Sequence, residues 1–147
     1  MRALSDPKGF TVAEVLTTLI VLGVLIAIAM PTWRNHQLRT QRAEAITMLV
    51  DLQKAQDLHF GRQARYAAAD QLTAPSPAGL GLDATSRSGS YLLDLRVTGD
   101  GLGYLATARA RPGGVADSRC VALSIDQNGR RRAIDAAGED RSADCWR

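Results

Sequence analysis

The stretch K-G-F-T-V-A-E, residues 8–14, runs directly into V-L-T-T-L-I-V-L-G-V-L-I-A-I-A-M, residues 15–30. From Val15 to Trp33 there is no charged side chain, whereas Arg and Asp recur every few residues afterwards. Hydrophobic residues make up 46% and charged residues 22% of the 147-residue chain, averages that hide this division into two regimes. A helix over 10–33 would be about 36 Å long at ~1.5 Å per residue, enough to cross a hydrocarbon core of ~30 Å. A core helix of a soluble protein seldom runs this far without a polar face. A cleaved secretory signal would have a shorter apolar core, of about 7–15 residues, followed by a small-residue cleavage site. Here the apolar run passes instead into an amphipathic pattern, as a retained helix would.

Arg2 and Lys8 precede the span and favour a cytoplasmic N-terminus, although Arg34, Arg39 and Arg42 beyond it weaken the asymmetry. Cys120 and Cys145 both fall in the distal part, and an even count there fits one disulfide in an oxidising compartment. In the chain-entropy description such a closed loop stabilises the fold by about 3.5 kcal/mol.

Glu14 is the only acid near the start of the apolar helix. A charge in that setting costs roughly 2.5–3.5 kcal/mol at mid-bilayer and less near the interface. Two readings stand on physics alone: a shallow headgroup position with a favourable helix-dipole interaction, or a role in assembly. The leader decides between them by resemblance. A short basic segment ending in Gly9, then Phe10 and Thr11, then Glu14 and a long uncharged helix, resembles the class III signal of type IV prepilins and pseudopilins. The resemblance implies cleavage between Gly9 and Phe10 by a prepilin peptidase, and N-methylation of Phe10. It also implies that Glu14 pairs with the N-terminal amine of a neighbouring subunit. Pro31 matches the family's helix-breaking proline, which predicts a kink or local melting of residues 23–31; a plain boundary at the end of the span is the other reading.

From Thr32 to Arg65 good helix formers dominate. Leu38, Ala45, Ile46, Leu49, Leu52, Ala55 and Leu58 recur at spacings near three and four, predicting an amphipathic helix over 34–66. His36 and His59 lack metal-ligand spacing and are expected to face solvent. G-R-Q-A-R-Y, residues 61–66, resembles the helix exit of minor pilins, and the Pro- and Gly-punctuated loop 67–88 follows. Strands are predicted over 90–98, 104–111, 120–126 and 130–135, with Asn128-Gly129 as a type I′ hairpin turn.

The expected fold is thus α+β: a long N-terminal helix, transmembrane in its first half, packed on a four-stranded antiparallel sheet. Its segments are a leader at 1–9, an assembly helix at 10–33, the amphipathic continuation at 34–66, the loop at 67–88 and the sheet with its C-terminal closure at 89–147. C-x-x-L-x-I-D-x-x-G-x-R from Cys120, with D-C-W near the end, resembles PilE-type minor pilins. That resemblance implies a type IV pilin fold with the Cys120–Cys145 disulfide closing its C-terminal region. It also implies a subunit of a type IV pilus serving twitching motility, adhesion or DNA uptake. The implied partners are other pilins, met through the N-terminal helix, the prepilin peptidase and an inner-membrane assembly platform. The implied location is the inner membrane, with the C-terminus periplasmic, and then the fibre. A type II secretion pseudopilin is the alternative within the class, and a pilus-associated DNA receptor the alternative outside it.

Arg130, Arg131 and Arg132, with Arg109, Arg111 and Arg119, would supply the basic patch of such a receptor. Loss of residues 1–9 leaves a formal charge of about +2, so overall charge gives little attraction. Asp135, Glu139, Asp140 and Asp144 offer oxygens over a short span without the ordered ligand pattern of a calcium loop. No nucleophile–base constellation and no phosphate-cradling loop is evident, so neither an enzyme nor a cofactor is expected.

Overall fold

A computed structural model describes residues 9–112 and 117–147. Leader residues 1–8, with Arg2 and Lys8, lie outside the described part. The chain divides into two compact units, Met1–Gln37 and Leu38–Arg147. One helix, α1 (Val12–Gln63), contributes to both. The strands β1 (Tyr91–Thr98), β2 (Gly103–Ala110), β3 (Ala122–Asp126) and β4 (Arg131–Ile134) follow, then the short α2 (Ser142–Cys145). All neighbours are antiparallel, in the order β1-β2-β3-β4.

In the first unit α1 opens on a polar cap. The Thr11 hydroxyl and carbonyl both accept from the Glu14 backbone N–H, at 3.3 and 3.1 Å. This satisfies an otherwise orphaned donor of the first turn. Thr17 and Thr18 turn their hydroxyls onto the carbonyls of Glu14 and Val15, at 3.0 and 2.8 Å. Their polarity is thereby satisfied within the helix, which makes them tolerable in an apolar medium. Every side chain from Val12 to Met30 is exposed. The helix is assigned without interruption through Pro31.

The second unit has its own core. Ala45, Leu49 and Leu52 of α1 are fully buried together with Tyr91, Tyr104, Ala106, Ala108, Leu123 and Ile125 of the sheet. The buried stripe of α1 is Gln41, Ala45, Leu49, Leu52, Gln56 and His59, at spacings of three and four. Leu58, expected on that stripe, is exposed instead. His59, expected in solvent, is 4% exposed, with Nδ1 3.1 Å from the Arg65 carbonyl; His36 is exposed. Two of the three polar residues on this stripe, Gln56 and His59, have backbone partners, whereas Gln41 Oε1 is buried without one. Gln56 accepts from the Ala67 N–H at 2.8 Å and donates to its carbonyl at 2.9 Å, pinning the chain where it leaves the helix.

Two local expectations need correction. The helix ends at Gln63, short of the expected residue 66, and its left-handed terminal residue is Ala64 (φ 53°), whose N–H donates to the Phe60 carbonyl. At the β3–β4 hairpin only Gly129 has positive φ (73°); Asn128 does not, so the turn is not type I′. Gly129 N–H donates to the Asp126 carbonyl, and Asp126 N–H to that of Arg130. This is a type I turn followed by a glycine bulge, the common three-residue hairpin loop.

Candidate functional site

Three places carry chemistry that the fold alone does not require. The first is the exposed apolar helix with Gly9, Phe10 and Glu14 at its start. Phe10 is 81% exposed and Glu14 lies within the first turn of α1. All residues from Val12 to Met30 are exposed, and they lie in the only described stretch long and apolar enough to cross a membrane.

The second place is the closure of the sheet. Cys120 and Cys145 form a disulfide with Cα atoms 5.9 Å apart, and both residues are buried. The C-terminal segment lies along the free edge of β4. Arg141 N–H donates to the Ala133 carbonyl, Ser142 Oγ accepts from Ala133 N–H, and Trp146 Nε1 donates to the Arg132 carbonyl. An edge strand covered in this way offers no template for unwanted pairing. Asp135 accepts from the N–H groups of Ala137 and Glu139 and from Arg141. The Arg141 contact leads in holding the Asp135 carboxyl below the usual range. Among the described residues no three acidic, His or Cys side chains converge as metal ligands would.

The same region holds an ion pair that the sequence did not suggest. Arg42 Nε and Nη2 donate to the two carboxylate oxygens of Asp117, 75 residues away, the Nη2 bond being 2.9 Å. The Asp117 side chain is 2% exposed and that of Arg42 18%. Hydrogen bonding to Asp117 is the main cause that raises the Arg42 pKa. Beside them Tyr91 is fully buried, donates its hydroxyl to the Cys120 carbonyl at 2.9 Å, and has its pKa pushed up to about 12 by desolvation. Only the arginine of this group was visible as a charged residue on the helix; the partner is fixed by tertiary structure.

The third place is the outer face of the sheet. Register puts Thr107, Ser124 and Arg132 in one row, and Arg109, Ala122 and Ile134 in the next. Arg109, Arg130 and Arg132 line one shallow groove of about 470 Å³ with Leu105, Thr107 and Ser124. The arginine run 130–132 is therefore divided. Arg130 and Arg132 share this face, as residues two apart on a strand do, while Arg131 lies over the Trp146 ring with its guanidinium carbon 5.2 Å from the centroid. Arg111 and Arg119 do not line the groove.

Comparison with known proteins gives a consistent picture. A family described as type IV minor pilin ComP, DNA uptake sequence receptor, matches residues 31–124. The type IV major pilin protein PilA of Myxococcus xanthus is 37% identical over 60 residues, 41% of this chain and 27% of that protein. The type II secretion system core protein G of Pectobacterium carotovorum is 28% identical over 64 residues, 44% of this chain and 41% of that one. The chain thus spans well under half the length of these curated relatives. The fimbrial protein EcpC of Eikenella corrodens is 28% identical over 109 residues, 74% of this chain and 66% of the other. Among solved structures, a type IV pilin from Shewanella oneidensis aligns at 26% identity with a TM-score of 0.46, covering 63% of this chain and 88% of that one. The family match extends over more than half of the sequence, and the chain belongs to the ComP family of type IV minor pilins.

Proposed function

We propose that this minor pilin is cut between Gly9 and Phe10 by a prepilin peptidase and N-methylated on Phe10. It waits as a single-pass inner-membrane protein with its head in the periplasm, and enters the fibre by packing its apolar helix against those of other pilins at the assembly platform. The observation that carries this is the unbroken exposure of the almost wholly apolar stretch from Val12 to Met30. A bilayer covers that surface before assembly, and neighbouring helices cover it afterwards. Cleavage would create a positive amine on Phe10, costly in an apolar bundle unless paired. Glu14, one turn into the helix, supplies the opposite charge to a neighbour's amine. Replacing Glu14 by Ala is expected to cut incorporation into sheared pili more than tenfold while the membrane pool stays normal. Normal incorporation of the variant would defeat the assignment.

A second reading is favoured by the description of the matched family and by the basic outer face of the sheet: the head engages DNA during uptake. It is compatible with the first, because a subunit can be held in a fibre by its helix and present its sheet outward. The test is a mobility shift of duplex DNA with the full chain in uncharged detergent. Binding that weakens with rising salt supports it, and no binding at low salt removes it.

A further inference from the structure

Granting that residues 12–30 span a bilayer, we infer that Trp33 and Arg34 form a lipid-binding site at the head-side boundary of the span. Its ligand is an anionic phospholipid, with an acyl chain along the helix and the headgroup phosphate on the Arg34 guanidinium. Three observations lead there.

The first is the position of the two side chains. Arg34 is the first charged residue after Glu14, and Trp33 stands directly before it. Both are exposed, Trp33 at 68%. From Glu14 to Trp33 the unbroken helix rises about 29 Å, close to the ~30 Å of a hydrocarbon core. An indole settles at the boundary between chains and headgroups, where its ring lies in apolar surroundings and its N–H in wet ones. With Trp33 fixed at one boundary, Glu14 reaches the opposite one, where its carboxylate keeps its water.

The second is shape. Beside Trp33 a groove of about 770 Å³ runs along α1. Ile26, Ala29 and Met30 line it on the N-terminal side of the indole, Arg34 and Gln37 on the C-terminal side. Its two ends differ in chemistry as the two ends of a phospholipid do. The apolar end suits an acyl chain, and the other end brings a guanidinium to the depth of that lipid's phosphate. The guanidinium fork matches phosphate oxygens in pairs. The long stem of Arg34 can lie on apolar surface while its head stays in the headgroup layer.

The third is charge. No acidic residue occurs between Glu14 and Glu44, and Arg34 takes part in none of the ion pairs among the described residues. Arg42, farther along the same helix, is by contrast held by Asp117. The rule that orients spans disfavours arginine on the translocated side, so topology gives no reason for a charge there. An anionic headgroup supplies the counter-charge that the chain does not. The same reasoning favours lipid over a neighbouring pilin helix in this groove, because a second copy at the same depth sets Arg34 against Arg34.

The experiment is Trp33 fluorescence in the full-length, disulfide-intact chain, reconstituted into phosphatidylcholine vesicles containing one quarter phosphatidylglycerol. Trp146→Phe leaves Trp33 as the one tryptophan; if that change disturbs the head, the difference between wild type and Trp33→Phe gives the same quantity. Bromine quenchers are placed on either lipid, near the headgroup end or near the tip of the chain. Shallow bromines are expected to quench Trp33 about threefold more than deep ones. At equal mole fraction, brominated phosphatidylglycerol is expected to show a roughly fivefold preference over brominated phosphatidylcholine, the size of one arginine's attraction to an anionic surface. Arg34→Gln is expected to bring that preference within about 1.5-fold and to leave the depth unchanged, whereas Arg34→Lys keeps most of it. If alkaline extraction removes the chain from the vesicles, the spanning reading itself falls. If the chain is retained but deep bromines quench Trp33 as strongly as shallow ones, the boundary assignment is overturned although the span stands. Equal quenching by the two lipids overturns the anionic ligand, and a preference that survives Arg34→Gln overturns the role of Arg34. Protection of Trp33 from both lipids, in vesicles where crosslinking captures paired chains, gives the groove to a second copy and overturns the inference.

Discussion

Residues 12–30 and residues 41–59 belong to one helix, yet they meet opposite fates. The first stretch is almost wholly apolar and buries nothing; the second is half polar and buries six side chains, two of them glutamines and one a histidine. Hydrophobic content therefore does not determine what is buried in this chain. What matters is whether one face of the helix has a partner within the same polypeptide. Residues 41–59 have a four-stranded sheet, and their buried positions follow the helical period whatever the residue type. Residues 12–30 are almost wholly apolar and exposed, which fits membrane anchoring and packing in a pilus fibre.

This comparison is broken most severely by separating the two kinds of support. Asp117→Ala removes the carboxylate that holds Arg42 and leaves a largely buried guanidinium unpaired, at a cost of about 3 kcal/mol. Chemical denaturation of the head should show that loss as a lower midpoint, whereas membrane insertion of residues 12–30 should be unaffected. A head of unchanged stability would mean that the pair contributes nothing.

A smaller effect separates the two regions by pH, since only the head contains buried phenols. Folded Tyr91 keeps its proton up to about pH 12, while an unfolded tyrosine loses it near ~10. Over that interval the folded state binds more protons. The stabilisation is thus complete below about pH 10 and is lost as the pH rises towards 12. Burial raises the Tyr104 pKa as well, in the same direction. Tyr91→Phe should flatten part of the alkaline loss in a pH series of thermal melts, at a cost of about 1 kcal/mol at neutral pH for the hydrogen bond to Cys120. An alkaline profile identical to wild type would contradict this.

The smallest effect sharpens where the helix ends. Ala64 occupies a left-handed position that glycine takes without strain, so Ala64→Gly should stabilise the head by roughly 0.5–1 kcal/mol. A decrease in the melting temperature would show that the unfolded-state entropy of glycine prevails.

The same comparison explains what could be read before the fold was known. The 15–30 stretch, the Ala45–Leu49–Leu52 stripe, the alternation of β1 and the cysteine pair are local or compositional signals, and each carries its own physics. Gln56 and His59 were invisible because each is buried against a backbone group beyond the end of the helix, that of Gln56 eleven residues away. Arg42 and Asp117 are further apart still, with no periodicity linking them. Of the arginine run, alternation alone warned that three successive residues cannot share one strand face. Which two would join Arg109 depended on the register set by the β3–β4 bulge, and the Asn-Gly pair pointed to a different turn. The leader, the Glu14 role and the membrane topology rest on resemblance to the pilin family and on the exposed apolar surface.

On this reading residues 12–30 belong to an assembly rather than to this chain's own core. Peptide mass spectrometry of purified, sheared pili tests it most directly. This polypeptide is expected in the fibre fraction, beginning at an N-methylated Phe10, and is expected to stay in the membrane with residues 1–9 attached when the prepilin peptidase is inactivated. Its absence from pili, or an N-terminus elsewhere in a soluble periplasmic form, would contradict it.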